Sequence, residues 1–70
     1  MYTLYFVTPA GEWRILGDHD PRDIWTAAKY HMRRKIEGTD CGYRQTRDGY
    51  EIFNPIGESL GAFVLERIGW

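Results

Sequence analysis

The sequence predicts an α+β fold: an antiparallel sheet of about five strands with one helix packed on one face, in the order β-β-α-β-β-β. Three observations carry it. The turn spelling Pro-x-Gly-Glu occurs twice, at Pro9–Glu12 and Pro55–Glu58, each time between aromatic and β-branched runs. Asp48-Gly49 marks a further hairpin turn. A single stretch, opened by Asp20-Pro21, has helical periodicity.

The first strand is Thr3 to Val7 and the second Trp13 to Leu16. Between them Pro9 presets the φ of a turn and Gly11 accepts the left-handed conformation that closes a short hairpin. The helix is expected from Pro21 to about Ile36. Asp20 is placed to cap it, Pro21 suits its first position, and Asp23 adds negative charge to its first turn. Ile24, Trp25, Ala28, Met32 and Ile36 fall in one stripe about 120° wide, which makes them the helix's contribution to the core. Arg33, Arg34 and Lys35 suit the negative end of the dipole, and Gly38 supplies the stop. Tyr43 to Arg47 and Tyr50 to Asn54 flank Asp48-Gly49, and Leu60 to Ile68 forms the last strand. The repeated Pro-x-Gly-Glu is read as shared turn chemistry, since the flanking residues do not otherwise align.

Seventy residues make one domain, 1–70, and a chain this short buries only about 60% of the surface its unfolded form exposes. Hydrophobic content of 43% and aromatic content of 16% are globular values and exclude the disordered class. The lone Cys41 rules out an internal disulfide, so a reducing compartment, the cytoplasm, is expected. No apolar run is long enough to span a bilayer, and no basic-then-apolar leader opens the chain. Starting at Met1, it reads as a complete small gene product. The net charge of −1 supplies no global pull toward nucleic acid, but its distribution is uneven. Between Arg22 and Arg47 seven basic residues stand against three acidic ones, a local +4 that leaves −5 for the rest.

Enzyme motifs do not appear: there is no phosphate loop, nucleophile elbow or paired metal-ligand spacing. Asp18-His19-Asp20 with His31 reads as cap and loop chemistry, so neither metal nor cofactor is expected. A marginal core is poorly suited to hold a rigid catalytic pocket. The chain is therefore expected to bind a partner.

Two surfaces qualify for a protein partner. On the outward helix face Tyr30 lies beside Arg33 and Arg34, a pairing common at interface hot spots because each side chain has a large apolar body and a polar tip. On the sheet face away from the helix, Tyr5, Tyr43 and Arg44 are the expected contacts. In the first strand Leu4 and Phe6 point one way and Tyr5 and Val7 the other; in the last, Ala62, Val64 and Ile68 oppose Phe63 and Leu65. Apolar residues on both sides imply that a partner or a second copy covers part of the second face, which makes a homodimer through the open sheet face a further expectation. The leading reading is a stand-alone inhibitor or adaptor acting by occlusion, of the kind phages and mobile elements encode, anti-CRISPR-like proteins among them.

The alternative is a nucleic-acid-binding accessory protein contacting phosphates through Arg44, Arg47 and Lys35. Tyr43-Arg44-x-x-Arg47-x-Gly49-x-Glu51-Ile52 followed by Pro55-x-Gly57-x-x-Leu60-Gly61-x-Phe63 resembles the three-stranded meander of plant ethylene-response-type DNA-binding domains. That family packs its helix after the third strand, whereas here the helix comes before the meander.

Overall fold

The two turns with the same spelling adopt the same geometry. In the first, the Thr8 and Gly11 amides donate to the Glu12 and Thr8 carbonyls at 2.9 and 2.8 Å; in the second, the Asn54 and Gly57 amides donate to Glu58 and Asn54 at 2.9 Å each. Gly11 and Gly57 have φ values of +87° and +90°, the left-handed region where a Cβ is penalised. The sequence identity is thus one three-residue hairpin loop used twice.

The computed structural model describes residues 1–68. Trp70, one of the chain's aromatics, lies outside them. Among the described residues the elements are β1 (Tyr2–Val7), β2 (Trp13–His19), α1 (Ile24–Ile36), β3 (Gly42–Thr46), β4 (Gly49–Phe53) and β5 (Ser59–Arg67). All pairings are antiparallel and the sheet order is β2-β1-β5-β4-β3. The expected α+β fold, one helix on a five-stranded antiparallel sheet, is the fold observed.

This order dictates where the helix lies. β2 and β3 are opposite edges, and the chain passes between them through α1, so the helix must cross one face of the sheet. Five strands spaced by about 4.8 Å span about 20 Å, whereas a helix with its side chains is about 10 Å wide. One helix therefore cannot cover both edges. It packs mainly on β4 and β5, less on β1, and only slightly on the two edge strands.

The core fills the space under the helix. Leu4, Ile24, Ala28, Met32 and Ile52 are excluded from solvent, and Phe6, Tyr50, Phe63 and Leu65 complete the cluster. Ile24, Ala28 and Met32 recur every fourth residue, one straight ridge along the helix. On the sheet, Leu4 pairs with Leu65, and Phe6 with Phe63, which pairs in turn with Tyr50, so the apolar rows run across three strands.

Several local expectations need correction. Trp25 is 38% exposed and only meets Tyr50 edge-on, because the buried stripe is narrower than the one drawn from periodicity. The helix begins at Ile24 after a turn over 21–23, and it is the Asp20 backbone carbonyl that accepts from the Asp23 and Ile24 amides at 2.9 and 3.0 Å. Its N-cap is Asp23, which makes no side-chain capping bond. The β3–β4 loop is Arg47-Asp48, since Thr46 pairs with Gly49. Gly49 is a strand residue kept small by its neighbour: a Cβ there would run into the Phe63 carbonyl oxygen.

Candidate functional site

Because α1 lies mainly over β4 and β5, it leaves edge strand β2 largely uncovered, and the stretch Trp13–Leu16 is exposed on both of its faces. Alternation sends Trp13 and Ile15 to the side away from the helix and Arg14 to the helix side, where it is opposite core Phe6. A register shift in the β1–β2 pairing leaves Leu16 as an extra residue, and its side chain joins Arg14 on the helix side.

On the open face the exposed pair is large. Trp13 is 52% and Ile15 70% exposed. The Trp13 and Tyr5 rings meet edge-on at 5.1 Å between centroids and 72° between planes, an arrangement that aligns a ring edge with a ring face. Val7, Ala62 and Val64, half-buried, continue this apolar surface over β1 and β5. Its far side is polar: Arg44 on β3 bonds the Glu51 carboxylate on β4 at 2.8 Å, and its guanidinium lies 5.6 Å from the Phe53 ring centre.

On the helix side, the gap between α1 and β2 is an open groove of about 370 Å³. Phe6 and Phe63 form its floor, Arg14 and Leu16 one wall, and His31, Arg34 and Lys35 the other. Three cations surround it, and no carboxylate is among the described residues that line it. Lys35 rests its ammonium 4.9 Å from the centre of the Phe6 ring. Arg34 donates to the Tyr30 hydroxyl at 2.9 Å and stacks over that ring. This bond favours the guanidinium, pushing the Arg34 pKa above its ordinary value. Arg14 has one loose ion pair, with Glu12 at 3.8 Å.

The expected contact residues fall on two sides of the molecule. Tyr30, Arg33 and Arg34 are together on the helix, all exposed. Tyr5 and Arg44 are on the open sheet face, but Tyr43 is not: it pairs with fully buried Ile52 and its ring meets Tyr50 at 5.9 Å, on the helix side. Adjacent strand residues point to opposite faces, so Tyr43 and Arg44 cannot share a surface. The Arg44, Arg47 and Lys35 set is also separated: Arg44 is on the open face, Arg47 in the β3–β4 loop and Lys35 over Phe6.

The residues that sequence reasoning missed are Trp13, Ile15, Arg14 and Leu16. Their signal was present in the run Trp-Arg-Ile-Leu, which has an apolar residue on each face, combined with the mismatch between helix width and sheet width. His19 lies at the end of β2 and His31 in the groove wall; among the described residues no group of three or more His, Cys, Asp or Glu is placed to hold a metal ion. No described helix is long and apolar enough to cross a membrane. Comparison of the chain with known protein families, curated proteins and solved structures finds no match.

Proposed function

We propose that this chain is a non-enzymatic protein-binding module that acts by covering part of a partner's surface, as an inhibitor or adaptor of the anti-CRISPR-like kind. The observation that carries this reading is the pair Trp13 and Ile15, side by side on the open face and more than half exposed. Isolated exposed apolar residues are ordinary, but an aromatic and an aliphatic side chain adjoining half-buried Tyr5, Val7 and Val64 make a continuous patch, the kind that protein interfaces bury. Tryptophan and tyrosine are also frequent anchors of binding energy, and Arg44, held by Glu51, supplies a polar rim. The lone Cys41 supports a reducing compartment, the cytoplasm, as the setting of this activity.

The test is capture of a partner from nuclease-treated host lysate by the tagged chain and by its Trp13→Ser variant. A stoichiometric protein retained by the first and lost from the second, with both chains folded at the assay temperature, supports the reading. Equal capture by both overturns the assignment to this face.

With Arg44, Arg47 and Lys35 separated, a nucleic-acid alternative rests instead on Arg14, Arg34 and Lys35 around one groove. Against it, the groove's two phenylalanines are 9% and 4% exposed, so neither ring offers a face on which a base could stack. It predicts affinity that falls steeply with salt.

A further inference from the structure

We infer that the outer edge of β2 receives an extended peptide segment in which acidic and apolar residues alternate, joining the sheet as an added strand. This deepens the protein-binding reading above and rests on it.

The first support is the edge itself. β2 pairs only with β1, and among the described residues no strand or helix covers its outer side. An extended segment can satisfy such an edge with main-chain hydrogen bonds, a common mode of peptide recognition. The second is the different chemistry of the two faces beside that edge. Side chains of an added strand alternate between faces as those of β2 do. Those on the helix side stand beside Arg14, at the rim of the groove that Arg34 and Lys35 face from α1, with no carboxylate among the described lining residues. Those on the other side extend the patch of Trp13 and Ile15, which is apolar. Charge complementarity therefore asks for Asp or Glu at every second position, and burial asks for aliphatic or aromatic residues between them.

The geometry favours a peptide over a nucleic-acid strand. Phe6 and Phe63 are covered, leaving charge as the groove's only attraction for a nucleotide, whereas a peptide also engages the edge amides and the Trp13 side. β3, the other edge, has no comparable cluster: its Arg44 is already bonded to Glu51. The register shift at Leu16 bounds the site, so pairing is expected along Trp13–Ile15 and to end there.

The experiment is selection of short peptides from a random display library on the wild-type chain, followed by binding measurements on the enriched sequences. The expected result is a pool with alternating acidic and apolar residues that binds the Arg14→Gln/Arg34→Gln variant about tenfold more weakly, as expected when two charge-assisted contacts are lost. Amide resonances of Trp13–Ile15 should shift on binding. Both arginines are exposed, and an unchanged melting temperature excludes a folding defect. A pool without acidic excess, no enrichment, binding indifferent to the double substitution, or shifts confined to other strands overturns the inference. So does an oligodeoxythymidine that binds the groove more tightly than the selected peptides. Capture of a host protein that depends on Trp13 but not on Arg14 and Arg34 overturns this inference while leaving the open-face reading intact.

Discussion

Trp13 and Tyr5 meet edge to face, 5.1 Å apart, on the side of the sheet that the helix does not cover. They are diagonal neighbours, since Trp13 is opposite Val7 and Tyr5 opposite Ile15. The pair has little part in the core, because Trp13 keeps 52% of its surface in water. Trp13→Ala should therefore cost about 1–2 kcal/mol of stability, from the half of the ring that is buried and its contact with Tyr5. The same substitution should remove most partner affinity. Urea unfolding alongside binding titration separates the two effects.

Fully buried side chains should behave in the opposite way. Ile52 and Met32 are completely excluded from solvent, on β4 and α1 respectively. Truncating either to alanine leaves a cavity as well as losing transfer free energy, a cost of about 2–5 kcal/mol. Small domains have only about 5 kcal/mol to lose. Ile52→Ala is therefore expected to populate the unfolded state substantially at room temperature, visible as loss of amide dispersion.

Gly49 and Gly38 provide a paired test of two reasons for glycine. At Gly38 (φ +75°) a Cβ would meet nothing, so Gly38→Ala should cost about 1 kcal/mol, from backbone conformation alone. At Gly49 the Cβ would collide with the Phe63 backbone, where β4 and β5 are paired. Relief requires moving a central strand, and Gly49→Ala should cost about 3 kcal/mol or more. Equal losses in chemical denaturation would disprove the steric account.

Gly49 also marks the limit of what the sequence disclosed. Asp-Gly is a favoured pair for two-residue hairpins, and it located the right hairpin but shifted its loop by one residue, because the glycine is required by packing on Phe63. The element order, the helix ridge Ile24, Ala28 and Met32 and the twin turns were all legible, because each depends on residues close in sequence. Tyr43 was not, since its face is decided by pairing with Ile52 across the hairpin. Glu51, between buried Tyr50 and Ile52, could have shown that face, and Arg44 follows it outward as its partner. The groove and the exposed β2 depend on strand order, which no local pattern specifies.

Arg44 and Glu51 should couple weakly. Their bond is 2.8 Å long, but the Arg44 side chain is 68% exposed, so solvent screens the pair. A double-substitution cycle, Arg44→Ala with Glu51→Ala, is expected to give about 0.5 kcal/mol, decreasing at high salt. Such a result fits a rim residue whose role is in recognition.

The two matching turns should differ in how much they depend on their first side chain. At Thr8 the hydroxyl accepts one backbone bond, from the Glu12 amide at 3.1 Å. At Asn54 the side-chain oxygen accepts two, from the Ile56 and Glu58 amides at 3.1 and 2.8 Å, while its amide group donates to the Glu58 carboxylate at 3.0 Å. A net contribution of about 0.5–1 kcal/mol per exposed bond makes Thr8→Ala about 0.5–1 kcal/mol and Asn54→Ala about 1.5–3 kcal/mol destabilising. Asn54→Asp should recover most of the loss, since a carboxylate retains both acceptor bonds, but not all of it, because it loses the donor to Glu58 and faces a like charge. Thermal unfolding of the three variants tests this order. If Thr8→Ala proves as costly as Asn54→Ala, backbone geometry outweighs the side chain in both loops, and the shared Pro-x-Gly-Glu spelling alone determines their stability.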